Sequence, residues 1–527
     1  MARVHLQEEL LKTAVPVTVE TRFGFVRGGR AGNGAAAFLE VPYALPPRRF
    51  QDPEPLPTDY QYEDKDYIHE ASYCVQPRND GQAVGVPFED KVGLGQPTEN
   101  PLFVNIVAPP SFPAQCNFPV KVYIHGGFLQ FGSPHGLSGQ AQYIAAERSE
   151  VWVNIGYRLS AFGFLACDEP KISGNFGFKD QWLAMQWIKE NISAFGGDPA
   201  DIQLYGLSAG AHSVHQLLHH VSRLPEGQVS PFRSAVLQSN AIIMPPKDPA
   251  GLRPQFHALC RAVGLDPAAP DALSKLSDPT HISASAIVRA IETDATGPEY
   301  GTFRGCLDGE WFATTPSPME WQRSGQLAHA LKTRGVRSIV VGDLTEEWYL
   351  YSIAHGEIHS VEEVKSNLER YYPADFVGAV MKMWDPVPEG SSANYMRLFG
   401  EIAATAQVHC PVRILARDLI NAGFPVLRYE IAWTPEQVRQ SHGYVTHATD
   451  RCLWAFRLPV LEGDQVAVAR AWLNVVAREV DELEAHGGAK HAAGQILALT
   501  KDKQIEWQDD KLWDLHMRML SALPGER

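Results

Sequence analysis

The sequence predicts an α/β fold in which helices flank a large, mostly parallel sheet. Three observations support this prediction. Strand-like and helix-like segments alternate through the first half of the chain, the strand-like segments have the apolar character of buried strands, and 45% of all residues are apolar. A chain of 527 residues with this composition can bury a large core, which excludes intrinsic disorder for the chain as a whole.

Local patterns place the individual elements. Strands are predicted where β-branched and aromatic residues cluster, at 121–124, 151–155, 201–205, 337–341 and 425–431. A helix is predicted over 178–192, because its apolar residues recur three and four positions apart. Prolines cluster at 43–57, 109–119 and 245–270, which predicts loops or insertions there. No Ser/Gly-rich linker divides the chain, so we expect a single domain over residues 1–527.

The charge pattern excludes several classes of function. Acidic side chains outnumber basic ones by 61 to 46, the net charge is −15, and no run is rich in Lys or Arg, so we expect no nucleic-acid partner. No apolar stretch approaches the roughly 18–20 residues that span a bilayer. The first ten residues are charged and amphipathic, unlike a secretory signal, so a cytoplasmic protein is expected.

The seven cysteines are scattered through the chain. No two of them stand at C-x-x-C spacing, so neither a zinc ribbon nor a thioredoxin-like pair is predicted. We expect mostly reduced, buried thiols and no bound metal.

The most informative motif is Gly206-Leu-Ser208-Ala-Gly210, which fits G-x-S-x-G. A strand-like run precedes it and a helix-prone run follows, which is the context that a nucleophilic serine on a tight strand-to-helix turn requires. Ser208 would project its hydroxyl at a helix N-terminus, whose dipole favours developing negative charge. Ser208 is therefore predicted to be a catalytic nucleophile.

A second motif, Ile124-His-Gly-Gly-Phe128, leaves an earlier predicted strand. Acyl transfer through a tetrahedral intermediate needs backbone N–H donors aimed at the oxyanion. A glycine-rich loop in this position supplies such donors, together with the N–H of the residue that follows the nucleophile. The loop is predicted to form part of an oxyanion hole.

A serine hydroxyl also needs a base and an orienting carboxylate. With 19 histidines and 61 acidic residues, spacing alone cannot select them. The chain order of an α/β-hydrolase, serine then acid then histidine, restricts the search to positions after 208. Glu346 and Glu347 follow a predicted core strand, and His442 and His447 lie in a polar loop after the next one.

With these motifs in place, the chain resembles the type-B carboxylesterase/lipase family, the cholinesterase-like branch of the α/β-hydrolases, with most similarity to fungal members. The resemblance covers nearly the whole chain. It rests on motifs that occur in family order at 38–43, 102–107, 156–159, 162–165, 174–177, 180–181, 195–199 and 206–211. It implies an α/β-hydrolase fold with cap-like insertions of loops and helices.

The resemblance also assigns site residues. The nucleophile of the family falls on Ser208, and its acid falls on Glu347, with Glu346 as the alternative. The family pattern H-x-x-[DE] before an aromatic strand matches His447 best, and His442 remains the alternative.

Two residues near these positions depart from the family pattern. Phe128 replaces the third glycine of the oxyanion loop; since its N–H remains, the expected donors are Gly127, Phe128 and Ala209. Trp348 replaces a glycine after the acid, so a bulky ring is expected to border the site.

The cysteines and a group of histidines bear on whether disulfides or a metal site are expected. Cys74 and Cys260 resemble halves of family disulfides whose partner cysteines are absent, which fits a reducing compartment. His212, His215, His219 and His220 cluster on one predicted helix, but the Glu of H-E-x-x-H is absent, so no metal site is expected.

The sequence therefore predicts a serine hydrolase of carboxylic esters that acts on a small-molecule ester without a cofactor. One alternative is an acyltransferase or lactone-forming enzyme with the same triad, and another is a non-catalytic binding protein. The substrate pockets are expected around 65–95, 240–330 and 350–410. The oligomeric state is left open.

Overall fold

The fold is built on a large sheet, which we describe from a computed structural model of residues 3–78, 87–385, 391–439 and 443–526. The described strands are, in chain order, β1 (Pro16–Thr21), β2 (Gly24–Arg30), β3 (Ala36–Pro42), β4 (Ser72–Cys74), β5 (Gln96–Thr98), β6 (Phe103–Ala108), β7 (Phe118–Ile124), β8 (Val151–Ile155), β9 (Gly197–Leu207), β10 (Ser234–Gln238), β11 (Ser338–Leu344), β12 (Val426–Ile431), β13 (Gln495–Leu499) and β14 (Ile505–Asp509).

Helices connect most of these strands. The described α-helices are α1 (Leu6–Thr13), α2 (Phe88–Val92), α3 (Gln142–Arg148), α4 (Ser160–Phe164), α5 (Phe176–Asn191), α6 (Ala209–Ser222), α7 (Pro249–Ala262), α8 (Ala272–Ser277), α9 (Ala284–Glu292), α10 (Pro318–Arg323), α11 (Gln326–Thr333), α12 (Trp348–Ser352), α13 (Val361–Glu369), α14 (Ala374–Met381), α15 (Ser392–Ala404), α16 (Cys410–Asn421), α17 (Arg451–Trp454), α18 (Gln465–His486) and α19 (Trp513–Met517). A π-helical turn, Thr405–His409, joins α15 to α16.

The main sheet has twelve described strands in the order β1-β2-β3-β6-β8-β7-β9-β10-β11-β12-β13-β14. The run from β8 to β13 is parallel, and antiparallel strands complete both edges. The predicted, mostly parallel sheet is thus confirmed. In this register Ile124 pairs with Gly206, Leu237 with Gly206, and Gln238 with Gly342, so the carboxyl ends of β7, β9, β10 and β11 meet at one edge.

The predicted strands and helix are all present. The strand at 151–155 has the predicted ends, and the other elements have shifted ends. The strand expected at 201–205 begins four residues earlier, at Gly197, and the helix expected over 178–192 is α5, Phe176–Asn191. The proline-rich patch at 245–270 contains helix α7. The Asp248 side chain accepts a hydrogen bond from the Gly251 N–H at 2.7 Å, and Pro249 occupies the first turn, where no N–H is needed.

The core lies on both faces of the sheet. Val120, Val122 and Ile124 of β7 pack on the face covered by α5 and α6, whereas Tyr123 packs on the face covered by α3 and α18. This alternation is the period of two expected of a strand whose two faces are both buried. Within the described ranges, no helix combines the length and the apolarity needed to cross a bilayer.

Candidate active site

Ser208 occupies the turn between β9 and α6. Its backbone has φ 58° and ψ −125°, outside the ordinary regions for a residue with a side chain. Its N–H donates to the Gln238 carbonyl at 2.8 Å, and the His212 N–H donates to the Ser208 carbonyl at 2.9 Å. Such a conformation costs of order 1–3 kcal/mol and persists only where surrounding contacts enforce it. Ser208 is thus held at the head of a fourteen-residue helix.

The two glycines of G-x-S-x-G are required by close backbone approach. A Cβ at Gly206 would overlap the Gly210 carbonyl, and a Cβ at Gly210 would overlap the carbonyl oxygen of Ile124. Helix α6 therefore starts in direct contact with strands β7 and β9. The motif predicted from the sequence follows from this packing.

The glycine-rich loop after β7 lies against the serine turn. A Cβ at Gly126 would come within 2.9 Å of the Ser208 Cβ. Gly127 and Phe128 both have positive φ, 111° and 56°. The backbone N–H groups of Gly127, Phe128 and Ala209 donate no hydrogen bond to any residue in the described part of the chain. The predicted donors are thus unoccupied and lie on the two segments that meet at Ser208.

Phe128 keeps its left-handed backbone because its ring is packed. Its centroid lies 6.0 Å from that of Tyr351, edge to face, and 6.4 Å from that of Tyr371. Aromatic pairs at such distances are favourable. The ring that replaces a family glycine therefore forms part of the wall beside the serine.

Glu347 and His447 form a buried pair. The His447 Nδ1 lies 2.6 Å from the Glu347 Oε2, and the Glu347 Oε1 accepts a hydrogen bond from the Leu344 N–H at 3.1 Å. The other ring nitrogen, Nε2 of His447, is buried and has no hydrogen-bond partner among the described residues. With Nδ1 as the donor to the carboxylate, this Nε2 carries a free lone pair.

Tyr351 connects the histidine with the glycine-rich loop. Its ring centroid lies 5.8 Å from that of His447 and 6.0 Å from that of Phe128. The imidazole and the glycine-rich loop thus contact the same aromatic ring, which places both at the carboxyl edge of the sheet.

Glu346, the alternative acid, has a different partner. Its Oε2 accepts a hydrogen bond from the Val445 N–H at 2.7 Å, and its own N–H donates to the Val445 carbonyl at 3.1 Å. Glu346 therefore fastens the loop that carries His447. The alternative histidine, His442, lies outside the described residues.

A cleft leads to the serine. Its inner chamber is lined by Phe128, Leu129, Ser208, Ala209, His212, Asn240, Arg304, Tyr371 and Gln407. An outer part of about 980 Å³, counting its open mouth, shares five of these residues and continues between residues 240–255, 299–305 and 370–373. The predicted segments 240–330 and 350–410 thus supply most of the wall, whereas no described residue of 65–95 lines it.

The sequence model of the carboxylesterase family matches residues 15–476. The chain belongs to the carboxylesterase family. The predicted family and the predicted class of enzyme, a carboxylic ester hydrolase, are thus confirmed.

Individual relatives agree with this family assignment. An uncharacterized esterase/lipase of Schizosaccharomyces pombe is 28% identical over 517 residues, which are 93% of this chain and 92% of the relative. A para-nitrobenzyl esterase of Bacillus subtilis is 30% identical over 357 residues, 67% of either chain. A solved structure of a PNB esterase aligns with 95% of this chain at a TM-score of 0.73 and 23% identity, which confirms the α/β-hydrolase fold.

Trp348, one departure from the carboxylesterase pattern, packs against a neighbouring helix. Trp348 starts α12, and its ring carries the Arg397 guanidinium at 3.4 Å and contacts Tyr444 at 4.8 Å. It is not among the residues that line the described cleft. Its ring thus packs toward α15 rather than on the wall of this cleft.

The histidine cluster of this carboxylesterase is engaged in packing. His215 lies with its Nε2 2.9 Å from the Gln322 Oε1 and accepts the Ile242 N–H on Nδ1 at 2.9 Å. Burial lowers the pKa of His215 to about 4, so the ring is neutral. No group of three or more metal-ligating side chains occurs among the residues that the structure describes.

All seven cysteines lie in the described part of the carboxylesterase, and all are free thiols. Six are buried, Cys74 and Cys260 among them, and Cys116 is exposed. Burial raises the pKa of Cys74 and of Cys260 to about 12, which keeps both as unreactive thiols.

Sequence reasoning missed two polar residues of the site, Arg304 and Gln407, and used a third, Asp450, only as the acidic residue of the H-x-x-[DE] pattern. Arg304 and Gln407 line the inner chamber, and Asp450 is a buried carboxyl whose Oδ2 accepts a hydrogen bond from Trp454 Nε1 at 2.9 Å. Burial, and then the charge of Glu347, raises the pKa of Asp450 to about 6. Arg304 and Gln407 stand in insertions without a motif, so no local pattern could identify them.

Proposed function

We propose that this carboxylesterase hydrolyses its esters through a covalent acyl intermediate on Ser208, with His447 as general base and Glu347 as the acid that orients it. One observation carries the proposal. The His447 ring is held at Nδ1 by a buried carboxylate 2.6 Å away, while its Nε2 is buried and unpartnered among the described residues. A nitrogen in that state is prepared to accept the proton of the serine hydroxyl.

The reaction follows from these groups. His447 Nε2 takes the Ser208 proton as the oxygen attacks the ester carbonyl, and Glu347 stabilises the resulting imidazolium. The N–H groups of Gly127, Phe128 and Ala209 donate hydrogen bonds to the negatively charged oxygen of the tetrahedral intermediate and stabilise it. The imidazolium then protonates the leaving alcohol. Water, activated by the same base, cleaves the acyl-enzyme and restores the Ser208 hydroxyl.

Hydrolysis is favoured over acyl transfer to another acceptor, because the family and the relatives that we compared are described as esterases.

We also propose that residues 1–527 act as one domain, since a single sheet takes strands from Pro16–Thr21 to Ile505–Asp509. A cytoplasmic location is proposed on the seven free thiols, which suit a reducing compartment.

Labelling with a fluorophosphonate tests the proposal. We expect one adduct per chain, on Ser208. The Ser208→Ala variant should not be labelled, and its rate of ester hydrolysis should fall to about 10³-fold above the uncatalysed rate. Ser213→Ala serves as the control, because Ser213 is a buried serine of the same helix that hydrogen-bonds the Ala209 carbonyl at 3.0 Å. Labelling at another residue, or near-normal turnover by Ser208→Ala, would overturn the assignment.

A further inference from the structure

The cleft of this protein has a charge opposite to that of the chain. Although the net charge of the chain is −15, the cleft is lined by three cationic side chains, Lys247, Arg304 and Arg370, and by one carboxylate, Glu299. In a partly enclosed cleft such charges act more strongly than on an open surface.

Arg304 differs from its neighbour Arg370 in having no ionic partner. Arg370 lies 3.9 Å from Asp294 and donates to the Asn367 Oδ1 at 3.1 Å. Within the described ranges, the Arg304 guanidinium forms no ion pair and no hydrogen bond. Its central carbon, Cζ, lies 5.7 Å from the centroid of the Tyr371 ring. Arg304 thus presents an unneutralised cation to the chamber that contains Ser208.

The effect of this charge is visible in an adjacent wall residue. The pKa of His212 is lowered well below its usual range, first by burial and then by the positive charge of Arg304. His212 lines the same chamber, and because its pKa is lowered its ring is neutral and adds no positive charge there.

Gln407 provides a second, independent observation. It lies in the π-helical turn Thr405–His409, a type of turn that often occurs at functional sites. Its side chain lines the inner chamber, and its Nε2 is buried without a hydrogen-bond partner among the described residues. Such a donor is costly to leave unsatisfied, and a ligand oxygen in the chamber would satisfy it.

We propose that the substrate carries an ionised carboxylate in addition to the scissile ester, and that Arg304 and Gln407 bind this carboxylate. The proposal rests on Ser208 as the nucleophile and specifies its substrate class: hemiesters of dicarboxylic acids, or esters with a free carboxylate close to the acyl carbonyl. The planar guanidinium can donate two parallel N–H···O hydrogen bonds to one carboxylate, and the Gln407 amide can donate a third.

Two chromogenic esters of matched length test the proposal. One is the mono-4-nitrophenyl ester of glutaric acid, and the other is its neutral methyl diester analogue. At pH 7 we expect kcat/KM to favour the free acid by roughly tenfold or more, and Arg304→Gln to reduce this preference by roughly tenfold or more. Gln407→Leu is expected to reduce it by about threefold to tenfold.

Arg289→Gln is the matched control for the loss of one positive charge. Arg289 is exposed on α9 and does not line the cleft. Its substitution is expected to leave the preference within about twofold, because an exposed charge outside the cleft is screened by solvent and salt. An unmodified protein that prefers the neutral ester would overturn the proposal, and so would an Arg304→Gln variant that keeps the full preference.

A second readout separates this proposal from the proposed function. Glutarate should slow the reaction of Ser208 with a neutral fluorophosphonate, and Arg304→Gln should need about tenfold more glutarate for the same protection. Circular dichroism confirms that each variant is folded. Absence of labelling contradicts Ser208 as the nucleophile, whereas normal labelling without protection by glutarate contradicts the carboxylate site alone.

Discussion

Glu347 and His447 are 100 positions apart in the chain and meet through a 2.6 Å contact between a carboxylate oxygen and Nδ1. The adjacent Glu346 instead binds the Val445 N–H, two residues before the histidine. Neighbouring carboxylates thus have separate tasks, since one holds the ring and the other holds the loop that carries the ring.

This division predicts different effects for two matched substitutions. Glu347→Gln removes the charge that stabilises the imidazolium and should lower kcat by about 10³- to 10⁴-fold. Glu346→Gln keeps an oxygen that accepts the Val445 N–H and should lower kcat by less than about tenfold. Steady-state kinetics on one ester measures both. Equal losses in the two variants would contradict the assignment of the acid.

The close approach at Gly210 predicts a large loss of stability. Gly210→Ala places a methyl group against the Ile124 carbonyl, so the serine turn must shift, at a cost of about 2–4 kcal/mol in the free energy of unfolding. Gly378→Ala is the control, because Gly378 lies in α14 with open space around its Cα and should gain up to about 1 kcal/mol. Urea denaturation measures both, and a neutral Gly210→Ala would refute the packing argument.

The ring of Phe128 predicts a narrow acyl site. Phe128→Gly keeps the backbone N–H, adopts φ 56° without strain and removes the ring that packs on Tyr351 and Tyr371. The ratio of kcat/KM for a branched-chain ester to that for an acetate ester should rise by roughly tenfold or more. An unchanged ratio would show that the acyl group binds elsewhere in the cleft.

Asp450 predicts a specific pH dependence of stability. Its pKa is about 6 in the folded protein and about 3.9 when unfolded, so the folded state keeps the proton over that interval. The contribution of the Asp450 carboxyl to the free energy of unfolding is fully present below pH ~4 and is lost as the pH rises through 6. The difference between the two pKa values corresponds to roughly 3 kcal/mol.

Asp450→Asn tests this dependence while retaining an oxygen for the Trp454 indole N–H. Relative to the unmodified protein, the variant should gain stability by roughly 2–3 kcal/mol between pH 4 and pH 7. Chemical denaturation at several pH values gives the comparison. Parallel stability curves for the two proteins would contradict the raised pKa.

Sequence patterns predicted those parts of the fold that local physics determines. The glycines around Ser208 could be predicted because a strand, a tight turn and a helix in contact exclude side chains there. The core strands could be predicted because buried strands must be apolar or β-branched. The start of α7 was missed, since its prolines suggested a loop although Asp248 caps it and Pro249 suits its first turn.

The sequence predicted two segments of the cleft wall, but it did not predict which of their side chains act there. Spacing could not distinguish Glu346 from Glu347, because the choice depends on which of two adjacent side chains faces the histidine loop. Arg304 and Gln407 are brought together by insertions that are 103 positions apart, with no motif in either. Their relation arises only from tertiary packing.

The most direct test of the account is to trap the acyl-enzyme. The protein is mixed with a 4-nitrophenyl ester, quenched with acid within one turnover and digested, and the peptides are weighed by mass spectrometry. We expect the mass of the acyl group on the peptide that contains Ser208, and no adduct in Ser208→Ala. An acyl group on another residue, or hydrolysis without any acylated peptide under single-turnover conditions, would contradict it.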